Sequence, residues 1–271
     1  MAHGPRHQLT RCHQHLYILV NSPEYGSSMI SHDIGMNLPK LNISALPPLH
    51  EPDIKLWLVD LALPMAHEDW AVLSPPEQDR AARFRFDRDA RRYRTSHAAL
   101  RQILGGVLDM APAALAFVEG SHGKPRLLDD SAPPLHFNMS HSGEWALIGV
   151  SMERPIGVDL EVITPMDDAE LLAQKNFSAA EQAAFLRTPA DQRLEAFFRC
   201  WTRKEACLKA LGSGLSIEPH EFEAGLDGQP RDTAILVDGH SWAMQVRCVD
   251  LPIKGLAAVA QLAAPHSPSG M

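Results

Sequence analysis

The chain has 271 residues, room for one large domain or two small ones. Apolar residues make up 45%, ordinary for a globular protein, and no apolar run approaches the ~20 residues that span a bilayer. A formal net charge of −8 argues against a general nucleic-acid binder, and the short apolar run Leu16–Val20 is no signal-peptide core, so a cytoplasmic protein with no membrane partner is expected.

Residues 1–50 carry His3, His7, His13, His15, His32 and His50 scattered among Pro, Ser and Asn with little periodicity. A poorly ordered leader is expected there, with Met29 and Met36 as candidate starts. Ile54–Leu61 reads as the first strand. Ser74, followed by Pro75, Pro76 and Glu77, opens a helix that is expected to stop near Phe86. A second helix spans Arg88–Leu108, with Tyr93, His97, Leu100 and Leu104 at near-helical spacing. Leu115–Glu119 is strand-like, and Gly120 to Pro125 is a turn. Leu135–Met139 reads as a strand running into a turn at Ser140–Gly143; Trp145–Ser151 and Ile156–Val162 are further strands. Helices follow at about 167–175, 178–187 and 191–211, the last ended by Gly212. Thr233–Val237, Trp242–Val249 and Leu256–Leu262 close the pattern, and 263–271 reads as a tail. The order strand, helices, strands occurs twice, which suggests two similar α+β halves, 51–154 and 155–262.

Eight arginines (Arg80, Arg83, Arg85, Arg88, Arg91, Arg92, Arg94, Arg101) lie between residues 80 and 101. On charge alone this is better read as a solvated helical face than as an anion site. Cys12, Cys200, Cys207 and Cys248 form no zinc spacing, and disulfides are not expected.

Two segments carry chemistry. On a strand, Asp159 and Glu161 point to one face, and their repulsion is relieved by a cation such as Mg²⁺, which prefers oxygen ligands. The plainer reading is two acids on the wet face of an edge strand. On the long helix, Glu205 and Lys209 share a face with Trp201, while Lys204 lies roughly 100° around. Taken alone this is an ordinary surface ion pair, but the flanking Phe197, Phe198 and Leu208 imply burial, where an unpaired charge is costly. Ser140 and His141 supply a turn that meets an anion. A Ser-His hydrolase is the rival, disfavoured because no G-x-S-x-G elbow is present.

The stretches Phe137–Gly143, Gly157–Glu161 and Trp201-x-x-Lys204-Glu205-Ala-x-x-Lys209 together resemble the 4′-phosphopantetheinyl transferase superfamily, in its larger, surfactin-synthetase-activating type. Gly123-Lys124-Pro125 and the region of Arg80, Arg83 and Arg92 are also similar to it. The resemblance covers about residues 54–262; each motif is weak alone, and their order and spacing make the set specific. It implies a pseudo-twofold α+β (α/β) fold with the active site in a cleft between two subdomains. It also implies transfer of the phosphopantetheine arm of coenzyme A to a serine of an acyl or peptidyl carrier protein, releasing 3′,5′-adenosine bisphosphate. By motif position, Asp159, Glu161 and Glu205 would hold Mg²⁺, with Mn²⁺ as a substitute. Glu205 would act as base and Lys209 would serve the leaving phosphate. Arg80, Arg83, Arg92, Lys124, Ser140, His141, Lys204 and Lys209 would contact coenzyme A. A monomer is expected. The alternative is a non-catalytic coenzyme A or carrier-protein binding module.

Overall fold

A computed structural model describes residues 41–49, 53–63, 67–120, 124–128, 135–212 and 217–263. The expectations for residues before 41, for the turn residues 121–123 and for the tail past 263 lie outside these residues. The leader expected to reach residue 50 ends sooner: Ile43–Ala45 forms strand β1, paired antiparallel with β2 (Ile54–Asp60) in the register Ile43↔Val59. Leu41 and Ile43 pack on the core, which is why this short stretch is ordered without a period of its own.

After β2 come the short α1 (His67–Trp70), α2 (Pro75–Ala82) and the 22-residue α3 (Asp87–Leu108). Ser74 and Glu77 close a capping box on α2, with the Ser74 N–H and hydroxyl each 2.7 Å from Glu77 Oε2. A small hairpin, β3 (Phe117–Glu119) and β4 (Pro125–Leu127), leads to β5 (His136–Ser142) and β6 (Trp145–Ser151). The first large sheet has the order β1-β2-β6-β5, all antiparallel. One correction follows. Ser140 and His141 are not in a turn: β5 runs through Ser142, pairs Ser142↔Trp145, and turns only at Gly143 and Glu144. Gly143 has φ +58, a conformation that glycine adopts without strain.

The second half repeats the connectivity. β7 (Ile156–Val162) is followed by α4 (Ala169–Asn176), α5 (Ala179–Arg187) and α6 (Arg193–Leu211). The hairpin β8 (Arg231–Val237) and β9 (His240–Val249) comes next, and β10 (Gly255–Leu262) returns beside β7. The order is β7-β10-β9-β8, so β7-β10-β9 matches β2-β6-β5. α6 ends at Gly212 with φ +67, as expected of a glycine at that position.

Three apolar layers hold these elements together. Leu100, Ile103 and Leu104 of α3 pack on Val59, Phe137 and Ile148 of the first sheet. Cys207 and Leu208 of α6 pack on Ile235, Met244 and Val246 of the second. Between the sheets lie Leu56, Leu58 and Leu147 against Ile156, Val158, Leu160 and Val259. Burial of such side chains contributes about 1.5–3 kcal/mol each and is the main term fixing the halves.

β5 and β7 are edge strands, and they meet. Asn138, Ser140 and Ser142 share one face of β5, because strand side chains alternate. Asn138 Oδ1 accepts from the Val158 N–H at 2.8 Å, Ser140 Oγ from the Leu160 N–H at 3.3 Å, and Ser142 Oγ from the Val162 N–H at 3.1 Å. Side chains of one sheet thus satisfy the free edge donors of the other, which are otherwise a pairing hazard.

Candidate functional site

β7 presents Ile156, Val158 and Leu160 to the first sheet, so Gly157, Asp159 and Glu161 face α6. Gly157 is what lets the helix come close. A Cβ there would lie 2.1 Å from the Ala206 carbonyl oxygen and 2.3 Å from Ala210 N. Helix backbone therefore passes directly over the strand, and Glu205 and Lys209, one turn apart, face the acids of β7.

The centre is a triangle. Lys209 Nζ lies 2.5 Å from Asp159 Oδ1 and 3.1 Å from Ser140 Oγ. The Ser140 hydroxyl donates to the same Oδ1 at 2.9 Å. Asp159 is buried, and its second oxygen, Oδ2, has no hydrogen-bond partner. The Ser142 hydroxyl donates to Glu161 Oε2 at 2.7 Å. Burial pushes the Asp159 carboxyl above its ordinary range, against the pull of Lys209 and Ser140. Burial and the Asp159 and Glu205 charges raise Glu161 to about 8, although the Ser142 bond and Lys209 oppose this. Burial also raises Glu205 to about 7, Lys209 pulling it down and Asp159 adding to the rise. Burial works against the Lys209 ammonium, but Asp159, Glu205 and Glu161 outweigh it and hold its pKa above the usual value.

His141 lies on the opposite face of β5 from Ser140. Burial, with the charges of Lys209 and Arg92, lowers its pKa to about 4, so the imidazole is neutral at neutral pH. Opposite, Arg80 of α2 sits 5.6 Å over the ring of Tyr93 of α3, and Tyr93 stacks on His97 with centroids 3.8 Å apart. His97 Nδ1 is 2.9 Å from the Tyr93 carbonyl oxygen, a pure acceptor, so this nitrogen carries the proton. Burial lowers His97 to about 4, helped by Arg80 and His141 and opposed by Glu77. Tyr93 and His97 entered the sequence reading only as helix periodicity. A Tyr and a His four apart on a helix with arginines before them was the available signal.

The structure thus brings together Ser140, Asp159, Glu161, Glu205 and Lys209, with His141 and Arg80 on the α3 side. It does not bring Lys204. That side chain is fully buried on another face of α6, with Nζ 2.7 Å from Glu181 Oε2, 2.7 Å from the Pro219 carbonyl oxygen, and bonded to the Phe222 carbonyl. The sequence expected Lys204 in a phosphate shell; helical geometry turns it away from Glu205 and onto α5. Lys124 Nζ donates to the carbonyls of Ile156 at 2.9 Å and Lys209 at 2.7 Å, tying the C-terminal turn of α6 to β7. Its pKa is lowered by burial to about 8. Arg92 is 2.6 Å from Glu144 at the β5–β6 turn, and Arg83 Nε donates to the Asp79 carbonyl at 3.2 Å.

Among the described residues, no group of three or more His, Cys, Asp or Glu side chains is gathered to hold a metal ion. The expected triad of Asp159, Glu161 and Glu205 is therefore not preassembled: the Lys209 ammonium sits on Asp159. The donors themselves suit a hard cation, since all are carboxylates, one buried oxygen is unpartnered, and two pKa values are raised by burial first and by neighbouring carboxylates second.

Residues 155–258 match the model of the 4′-phosphopantetheinyl transferase superfamily, and residues 65–153 match that of the 4′-phosphopantetheinyl transferase N-terminal region. The 4′-phosphopantetheinyl transferase HetI of Nostoc sp. (strain PCC 7120) is 39% identical over 195 residues, 71% of this chain and 81% of HetI. The 4′-phosphopantetheinyl transferase Sfp of Bacillus subtilis (strain 168) is 27% identical over 192 residues, 69% of this chain and 84% of Sfp. AcpT of Salmonella typhimurium (strain LT2), also a 4′-phosphopantetheinyl transferase, is 40% identical over 119 residues, 44% of this chain and 59% of AcpT. The protein is a transferase. It belongs to the 4′-phosphopantetheinyl transferase superfamily. No helix among the described residues is long and apolar enough to cross a membrane.

Proposed function

We propose that this enzyme moves the 4′-phosphopantetheine arm of coenzyme A onto a serine hydroxyl of an acyl or peptidyl carrier protein. The observation that carries the reading is the cluster of Asp159, Glu161, Glu205 and Lys209 between β7 and α6. Glu205 takes the proton of the attacking serine oxygen; its pKa near 7 matches a base that works near neutral pH. The new bond joins that oxygen to the pantetheine-side phosphorus, and the bond to the bridging oxygen breaks. The leaving group is 3′,5′-adenosine bisphosphate. Lys209 supplies positive charge or a proton to the departing oxygen, consistent with its raised pKa. Asp159, Glu161 and Glu205 would hold Mg²⁺, which when bound offsets charge on the pyrophosphate. His141, neutral and able to donate an N–H, and Arg80 serve the 3′-phosphate. Buried free thiols at Cys200 and Cys207 accord with work in a reducing compartment such as the cytoplasm.

The test is mass spectrometry of apo-carrier proteins mixed with coenzyme A, Mg²⁺ and the enzyme. A gain of one phosphopantetheine per carrier is expected with the wild type and none with Glu205→Gln, whose melting temperature should stay near that of the wild type. Wild-type turnover by Glu205→Gln would remove the base assignment. Binding of coenzyme A and carrier without transfer would favour the non-catalytic module.

A further inference from the structure

Ser142 is outside the residues that sequence reading assigned to the site, yet it is the hydrogen-bonding partner of Glu161 in the cluster, its hydroxyl donating to Oε2 at 2.7 Å. The same Oγ accepts from the Val162 N–H at 3.1 Å. Ser140 does the same two residues earlier, donating to Asp159 and accepting from the Leu160 N–H. Each serine of β5 therefore grips an acid of β7 and the N–H of the residue after it. Asn138, the third member of the row, accepts from Val158 N, and the residue before Val158 is Gly157, which has no side chain to hold.

The position of Ser142 is set by its own frame rather than by Glu161. It is the last residue of β5, and the turn beside it is tied down from several sides. Glu144 is 3.1 Å from Arg91 and 2.6 Å from Arg92, and its carbonyl accepts from the Leu61 N–H at 2.8 Å. Gly143 takes the φ of +58 that this turn needs, a conformation that L side chains rarely adopt. A fixed hydroxyl has one proton to give, and Ser142 gives it to Glu161 while accepting from the Val162 N–H. It selects one orientation of the carboxylate that follows it in space.

We propose that Ser142 is a positioning residue, holding the Glu161 carboxylate in the orientation in which it joins Asp159 and Glu205 around a divalent cation. This rests on the reading of Glu161 as a cation ligand. Partners one step removed from a metal commonly set ligand orientation, and losing one costs about 10- to 100-fold in metal affinity.

The experiment titrates Mn²⁺ into the full chain with coenzyme A present and carrier absent, so that no turnover occurs, and reads free Mn²⁺ by electron paramagnetic resonance. Ser142→Ala should bind Mn²⁺ roughly 10- to 100-fold more weakly, and Ser142→Thr, which keeps the hydroxyl and suits a strand, should restore wild-type affinity. A merely structural serine would lower the melting temperature and leave Mn²⁺ affinity unchanged, and that result overturns the proposal. Glu161→Gln is run alongside. If it weakens binding and Ser142→Ala does not, the positioning role alone fails. If neither weakens binding, the cation role of Glu161 fails and takes the positioning role with it. Should Ser142→Ala not stay folded, Ser142→Cys takes its place with the same outcomes, because a thiol is a weak donor of similar shape.

Discussion

Replacing Lys204 with methionine separates a ligand role from a structural one. The Lys204 ammonium is enclosed by Glu181 Oε2 and the Pro219 carbonyl, both at 2.7 Å, and by the Phe222 carbonyl. Glu181 also accepts from the backbone N–H groups of Ala224 at 2.7 Å and of Gly225 and Ser178 at 2.9 Å. Lys204→Met therefore leaves a buried carboxylate without its counter-charge, which costs about 3–5 kcal/mol. At about 2–4 °C per kcal/mol for a chain near this size, the melting midpoint should fall by roughly 6–20 °C. The double variant Glu181→Gln/Lys204→Met removes both charges and should recover much of that loss. Melts of the wild type, Lys204→Met, Glu181→Gln and the double variant, with the KM for coenzyme A measured well below the lowest midpoint, test the argument. A Lys204→Met protein that melts like the wild type but has a raised KM would refute it and return Lys204 to the phosphate shell.

Three further outcomes are expected. Gly157→Ala should lose about 1–3 kcal/mol in urea unfolding, and transfer should slow because the helix carrying Glu205 and Lys209 is pushed off β7; unchanged unfolding would mean that the close approach at Ala206 is not real. His141→Ala should raise the KM for coenzyme A more than that for dephospho-coenzyme A, and equal effects on both would remove the 3′-phosphate role. Burial opposes ionisation of Glu144, but Arg92 and Arg91 outweigh it and hold its carboxyl below the usual range. A depressed carboxyl adds stability above its unfolded value, and that stability is lost as pH falls through the folded one. The gap in melting temperature between wild type and Glu144→Gln should therefore be present at neutral pH and shrink below ~4.5; a gap constant with pH would contradict the ion-pair account.

Strands and helices with a strong period were legible. Trp145–Ser151 and Ile156–Val162 stand where alternation put them, and Gly212 ends α6 as a terminal glycine should. The strand period put Asp159 with Glu161 and the helix period put Glu205 with Lys209, and both periods hold; joining the two pairs in one site came from the family resemblance. Ser140 and Ser142 were misplaced because small polar residues before a glycine look like a turn, whereas here they are needed on a strand as acceptors for another strand's edge. Lys204 was placed in the site by motif position alone, against its own direction on the helix, and its ammonium sits on Glu181 instead. On a helix, neighbours point about 100° apart, so Glu205 and Lys204 serve different cores.

The seam also bears on why the cluster is charged at all. Three carboxylates and one ammonium between β7 and α6 leave two negative charges in excess when all are ionised. A largely enclosed site does not tolerate that excess, and Glu161 at about 8 and Glu205 at about 7 record the strain as bound protons. Apolar residues at these positions would be more stable, since replacing buried charges by well-packed hydrophobes is often neutral or favourable. The fold instead gives each acid of β7 a dedicated serine donor and opens the helix contact with Gly157, so that Glu205 and Lys209 face the acids of β7. Such an arrangement is useful when a doubly charged cation or a transferred proton is to be accommodated, and both are what phosphoryl transfer to a serine hydroxyl requires.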